Sequence, residues 1–298
     1  MAENMEKRIT EQRNPNTYQI DELPTADVLK IINQEDKKVA AAVNKIIPEI
    51  QQVIDRIAPR MQKGGRLFYV GAGTSGRLGI LDAVECKPTF SVSPERVIGI
   101  LAGGEKAMFR SQEDIEDNAA LGAEKIRSYE ISPNDCIVGI AASGKTPFVI
   151  GAVEAARKEG AFTAALVCNQ DSALAAAAEM EMAVIVGPEV VTGSTRMKAG
   201  TAQKMILNMI STTVMIKQGK VYSNLMVDLQ PTNDKLRSRA QNIFKIITAA
   251  ENQIAAEYLK RANYELKEAV IMYEKGVELK EAQKLLAEND GVLKKVIN

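Results

Sequence analysis

The sequence predicts an α/β fold: a three-layer sandwich on a five-stranded, mostly parallel sheet, followed by a small helical C-terminal domain. Three observations carry this prediction. Short apolar runs alternate with helical patterns between residues 66 and 217. Strand-like runs stop after Gln230-Pro231. The chain has 298 residues, 46% of them hydrophobic, enough for one large core and a smaller one. Strands alternating with helices place a parallel sheet between two helical layers.

Each element follows from local pattern. Residues 1–32 are polar and mixed. Asn33 to Asp36 reads as a helix start, with a capping side chain and acids in the first turn. Val39, Val43, Ile46, Ile47, Ile50, Ile54 and Ile57 follow at helical spacing, and Pro48 kinks or interrupts that helix. Gly64-Gly65 ends it. Strands are expected at 66–70, 97–102, 136–141, 163–167 and 183–186. Helices are expected around 118–129, from Pro147 to about Glu159 with Gly160 as the stop, and over about 196–217. The tail reads as helices near 234–261, 264–275, 279–288 and 291–297.

Composition excludes several functions. There is no histidine, which rules out a Ser-His-Asp triad, a Cys-His pair and any His-ligated metal. Proton transfer must fall to Glu, Asp, Lys, Tyr or Cys. Lys+Arg and Asp+Glu both number 38, so no net field draws nucleic acid, and no basic run marks a membrane surface. The charged start lacks the apolar segment of a secretory signal, and no apolar run is long enough for a membrane span. Cys86, Cys136 and Cys168 lack CxxC spacing and read as core residues in a reducing compartment. A cytoplasmic protein is expected.

Two glycine-rich stretches imitate nucleotide motifs. Gly71-Ala72-Gly73-Thr74-Ser75-Gly76 matches GxGxxG after a strand, but no acid ends the next strand at dinucleotide spacing. Gly139 to Thr146 matches GxxxxGK[ST], but Gly139 lies inside the apolar strand run, where it cannot open a phosphate loop. A reading that unites three turns fits better. Thr74-Ser75-Gly76, Ser143-Gly144-Lys145-Thr146 and Thr192-Gly193-Ser194-Thr195 all lie at or near strand-to-helix turns. Each joins glycine to hydroxyl donors. Helix starts favour a phosphate dianion, and in a parallel sheet such loops converge. Taken singly, each Ser or Thr could be only a helix cap; together they point to a sugar-phosphate site. Lys145 and Lys198 are open between charge donors and solvated lysines.

These segments resemble the N-acetylmuramic acid 6-phosphate etherases. The resemblance rests on GAGTSGRLG with LDAVECKPTF, GGEKAMFRSQEDIEDN, GIAASGKTPFVIGA and PEVVTGSTRMKAGTAQKMILNMIST, supported by TEQRNPNTYQID and GKVYSNLMVD. It is dense through Asp228 and weaker beyond. It implies a sugar-isomerase (SIS) domain over 51–225, after an N-terminal helical segment over 1–50 and before a helical domain over 226–298. It also implies a homodimer with active sites near the subunit interface, a small sugar phosphate as ligand, and no metal or organic cofactor. The implied reaction cleaves the D-lactyl ether to give N-acetylglucosamine 6-phosphate and D-lactate, in cell-wall recycling. The family's two catalytic glutamates carry over to Glu85 and Glu116, with Glu113 as the alternative to the latter. Glu85 lies among apolar residues, so partial burial and a raised pKa are expected for it. The implied phosphate contacts are Thr74, Ser75, Gly76, Ser143, Gly144, Lys145, Thr146, Ser194 and Thr195. A sugar-phosphate isomerase and a non-catalytic regulator resembling glucokinase regulatory protein are the alternatives on the same fold.

Overall fold

The computed structural model describes residues 8–110, 112, 114–229, 231 and 233–298. Three short 3-10 turns (Ile9–Glu11, Pro15–Thr17, Ile20–Glu22) precede α1 (Thr25–Lys45) and α2 (Ile47–Gln62). The central run is β1 (Leu67–Gly71), α3 (Gly73–Phe90), β2 (Val97–Leu101), α4 (Gly104–Phe109), α5 (Ala119–Arg127), β3 (Cys136–Ala141), α6 (Pro147–Lys158), β4 (Phe162–Val167), α7 (Ala173–Ala177), β5 (Met180–Ala183) and α8 (Lys198–Lys217). A hairpin, β6 (Val221–Tyr222) and β7 (Leu225–Met226), leads to α9 (Asp234–Thr248), α10 (Asn252–Arg261), α11 (Leu266–Lys275), α12 (Leu279–Glu288) and α13 (Leu293–Ile297). The chain divides into two compact units, Met1–Val84 with Glu95–Ser211 and Glu85–Pro94 with Thr212–Asn298.

In the first unit the five strands run in the order β2-β1-β3-β4-β5, all parallel. Phe68, Val70, Ile137 and Val167 join Val149 and Val153 of α6 and Ile126 of α5 in one buried layer. On the opposite face Tyr69 lies against Gly79 of α3, where a Cβ would sit 2.9 Å from the Tyr69 Cβ. Gly99 likewise admits the backbone of Ile80, at 2.6 Å from its would-be Cβ. The close approach of α3 to β1 and β2 therefore depends on glycine at the contact points.

Several boundaries differ from the sequence reading. The first helix begins at Thr25, after Pro24, not at Asn33. Its opening turns bury little (Leu29 is 61% exposed), so apolar periodicity starts later than the helix. Pro48 does interrupt: α1 ends at Lys45, and Pro48 stands in the first turn of α2. The fifth strand is 180–183, not 183–186, because its ladder pairs Ala164 with Met180 through Val167 with Ala183. Val184 and Val186 are buried beyond that ladder, and their apolar run mimics a strand. The helix read over 234–261 is two helices, broken where Ala249 takes φ 56°. The short α4, α7 and the hairpin carry too few residues for a periodic signal.

The second unit has its own core, with Phe244, Leu259, Val270, Met272 and Leu293 buried. Phe244, Tyr258 and Tyr273 form a ring cluster with centroids 5.3 to 6.2 Å apart. Buried Lys267 donates to Asp228 (2.9 Å) and to the Gly291 carbonyl (2.7 Å), so its charge is not left unpaired.

Candidate active site

In an open parallel sheet with strand order 2-1-3-4-5, ligands bind where the order reverses, at the carboxyl ends of the first and third strands. Here those ends lead into Gly71–Gly76 and Ala141–Pro147, two of the three hydroxyl-rich turns. The glycines of the first turn have a packing reason. A Cβ on Gly76 would lie 2.5 Å from the Gly71 carbonyl oxygen, and one on Gly71 would lie 2.5 Å from the Gly76 nitrogen. The turn can be this tight only without side chains there. Thr74 and Ser75 consequently fall in the first turn of α3. Ser75 is buried, and its hydroxyl donates to Gln203 Oε1 of α8 at 2.9 Å. The hydroxyl oxygen can still accept, but its proton is committed.

The second turn is held from behind. Asn169, which follows β4, donates to the Ala142 carbonyl at 3.0 Å, and the Leu174 N–H donates to the Gly144 carbonyl at 2.9 Å. Ser143 Oγ accepts from the Lys145 N–H (3.3 Å), and Thr146 precedes α6 without making a capping bond. Gly144 has φ 66°, and a Cβ there would meet the Ser172 Cβ at 2.3 Å. Gly144→Ala should cost at least about 2 kcal/mol through left-handed strain and collision. Urea unfolding should show the lowered midpoint. Gly139, by contrast, is a ladder residue paired with Val70 and Ala165, which disposes of the nucleotide-loop match.

The third turn lies in the loop between β5 and α8, and Gly200 brings it to the first. The Gly200 N–H donates to the Thr195 carbonyl (3.0 Å), and a Cβ on Gly200 would sit 3.4 Å from Thr74 Cγ2. Ser194 and Thr195 are half-buried. The start of α8 is capped from a distance: buried Glu189 accepts from the N–H groups of Lys198 (3.0 Å) and Ala199 (2.9 Å). Burial raises the Glu189 pKa, while the two N–H donors oppose the rise.

Lys198 is not a solvated lysine, and its charge is already paired. It is 1% exposed, and its Nζ pairs with Glu35 Oε2 of α1 at 2.7 Å. Burial alone would raise the Glu35 pKa. Hydrogen bonds from Lys198, Lys38 and Asn16 outweigh it and lower the value to about 2. Burial pushes the thiols of Cys136 and Cys168 up to about 12, in keeping with core residues.

The two glutamates differ in setting. Glu116 is half-buried, and its carbonyl accepts from the Phe148 N–H at 3.0 Å, which ties it to the first turn of α6 beside Thr146. Glu113 lies outside the described residues. Glu85 is exposed, which corrects the expectation of burial. The buried acid of α3 is Asp82, which accepts from Ser211 Oγ at 3.1 Å and whose pKa is raised by burial, against hydrogen bonds from Ser211 and Tyr69. Helical spacing explains the contrast: Asp82 lies on the sheet-facing side with Gly79, while Glu85 joins Leu81 (50% exposed) and Val84 (63% exposed) on the outward side. Glu85 lies ten residues beyond Ser75 in the same helix, about 15 Å along the axis at 1.5 Å per residue. Asn169, Gln203 and Glu189 were missed in the sequence. Only Asn169 carried a signal, as the polar residue just past a strand end.

Residues 49–157 match the glucokinase regulatory protein N-terminal SIS domain family, and residues 119–212 match the SIS domain family. The chain is 53% identical to N-acetylmuramic acid 6-phosphate etherase of Caldanaerobacter subterraneus, over 98% of this chain and 96% of the relative. It is 50% identical to the enzyme of that name from Bacillus subtilis, over 99% and 97%. It is 51% identical to N-acetylmuramic acid 6-phosphate etherase 1 of Enterococcus faecalis, over 99% and 98%. Among solved structures, one described as a phosphosugar isomerase involved in capsule formation from Bacteroides fragilis aligns with a TM-score of 0.51 at 19% identity, covering 66% of this chain and 94% of that one. That likeness concerns the fold.

Proposed function

The chain belongs to the N-acetylmuramic acid 6-phosphate etherase family, and on that premise we propose that it is a cytoplasmic carbon–oxygen lyase. It cleaves the D-lactyl ether of N-acetylmuramic acid 6-phosphate, releasing D-lactate and N-acetylglucosamine 6-phosphate during cell-wall recycling. The observation that carries this reading is the meeting of two hydroxyl-rich turns, after β1 and β3, at the point where strand order reverses, with Glu116 tied to the second of them.

The sugar 6-phosphate sits on the first turn of α3, where backbone N–H groups and the helix dipole favour an anion, and beside the start of α6, whose dipole adds to it while its Phe148 N–H is given to Glu116. Thr74, Ser143 and Thr146 donate to it, Ser75 shapes the turn, and Ser194 and Thr195 close the third side. In the ring-opened sugar the aldehyde acidifies the proton on carbon 2. Glu116 takes that proton. Glu85, protonated, delivers a proton to the departing lactyl oxygen on carbon 3, leaving an unsaturated aldehyde. Water then adds back at carbon 3, with Glu85 receiving its proton, while Glu116, its proton exchanged with solvent, returns one to carbon 2. Two carboxyl groups of opposite protonation state suffice, which agrees with a chain without histidine.

A span of about 15 Å along α3 exceeds the length of a hexose phosphate, so Glu85 does not serve a phosphate held at its own Thr74-Ser75 turn. We assign it to the substrate of a second copy in a homodimer. The exposed Leu81 and Val84 beside it suit such a contact.

The test is direct. Purified protein incubated with N-acetylmuramic acid 6-phosphate, without added metal or nucleotide, should release D-lactate. In heavy water the product should carry deuterium at carbon 2. Lactate release with protium retained there would replace elimination by direct displacement, and interconversion of phosphosugars without lactate would identify an isomerase.

A further inference from the structure

Chain termini are usually loosely held unless tied down, yet the segment around Thr10 to Thr17 is pinned by buried side chains. The Thr10 N–H donates to Asn169 Oδ1 (3.4 Å), and Asn169 Nδ2 donates to Thr10 Oγ1 (2.9 Å). Asn14 donates to the Pro188 carbonyl (3.2 Å), and Thr17 donates to the Val190 carbonyl (2.9 Å). Thr10, Asn14 and Thr17 are all buried. The segment thus crosses the loops that follow β4 and β5, at the sheet edge where ligands bind.

Its leading end borders a cavity of about 340 Å³ lined by Arg8, Ser143, Lys145, Asn169, Asp171 and Ser172, among others. Asn169 and Ser172 are 4% and 5% exposed, so the floor is polar and fixed. Among the described residues, Arg8 Nε is buried and makes no hydrogen bond. A buried guanidinium N–H without a partner is costly, and an anion in this cavity would satisfy it. Asp171 is exposed, so water screens its opposing charge.

We propose that Arg8 and Lys145 form an anion subsite for the second negative group of the substrate, the lactyl carboxylate, and that the N-terminal segment thereby sets specificity for the ether over the product. This rests on the etherase reading. The phosphate needs neither cation, because two helix starts and neutral hydroxyls already receive it. The carboxylate, which N-acetylglucosamine 6-phosphate lacks, calls for a cation: Arg77 is given to the Ala107 and Met108 carbonyls and Lys198 to Glu35, while Arg8 and Lys145 border one cavity. A guanidinium suits a planar carboxylate through paired N–H donors.

Kinetics with Arg8→Met and Lys145→Met test the proposal. Each should raise KM for N-acetylmuramic acid 6-phosphate roughly ten- to a hundredfold, the usual loss for a charge-assisted hydrogen bond. Inhibition by N-acetylglucosamine 6-phosphate should stay within about twofold of wild type, since that ligand has no carboxylate. Wild type should prefer the substrate to its uncharged lactyl amide; Arg8→Met should lose that preference and Arg8→Lys should keep part of it. An unchanged KM, equal weakening of both sugar phosphates, or retained discrimination against the amide would overturn the subsite while leaving the etherase reading intact. No lactate from wild type would instead remove the etherase reading, and the subsite with it.

Discussion

Glu85→Gln and Glu116→Gln should each reduce D-lactate release by roughly 100- to 10,000-fold, the range for loss of one general acid or base. Circular dichroism should show both variants folded, because Glu85 is exposed and Glu116 is held by its backbone carbonyl, which the substitution keeps. Mixing the two inactive proteins gives the larger signal. If Glu116 acts beside its own phosphate turn and Glu85 acts across a dimer, each mixed dimer contains one complete site. Random exchange of subunits should then restore about a quarter of the wild-type rate. Mixtures that stay inactive after subunit exchange would refute action in trans, and either single variant with near-full turnover would remove that residue from the mechanism.

Glu35→Gln should be the most damaging stability change on α1. It strands the Lys198 ammonium, 1% exposed, without its carboxylate. Breaking a buried pair from one side costs about 3–5 kcal/mol, a fall in Tm of roughly 10 °C for a chain of this size. Glu35→Gln combined with Lys198→Met should recover most of that loss, because no buried charge remains. Lys38→Met should cost only about 0–1 kcal/mol, since Lys38 is half in solvent. The pH dependence has a definite sign. The folded Glu35 pKa of about 2 lies below its ordinary 4.5. Its stabilising contribution is therefore fully present above about pH 4.5 and is lost as pH falls through about 2. The Glu35→Gln variant should lack that component of acid unfolding in melts between pH 2 and 5. A variant with wild-type Tm and an unaltered acid limb would show the pair to be inconsequential.

Because Lys198 opens α8 just after Thr195, the pair also anchors the third hydroxyl turn. That role was hidden in the sequence. Lys198 looks like any lysine in RMKAG, and its partner lies 163 positions earlier. Glu85 erred in the opposite direction. Its neighbours Leu81, Ala83, Val84 and Cys86 are apolar, yet Leu81 and Val84 face outward with it while Asp82 faces the sheet. Local hydrophobicity does not reveal which side of a helix meets the core when both sides carry apolar residues.

The sequence alone determined the elements and the chemistry available. Short continuous apolar runs marked four of the five sheet strands closely and period-3.6 patterns most of the longer helices, because a parallel strand covered on both faces and a helix covered on one each dictate residue type along the element. The missing histidines restricted proton transfer to carboxyl groups and a few other side chains, and the hydroxyl-rich turns showed themselves through glycine and threonine spacing. The tertiary structure alone decided the strand order that puts β1 beside β3, the approach of Thr195 to Thr74 through Gly200, the pinning of the N-terminal segment to Asn169, and the burial of Lys198 against Glu35. All four depend on contacts between residues far apart in the chain. Local periodicity carries no record of such contacts, since it reports only whether a position is buried, not what buries it.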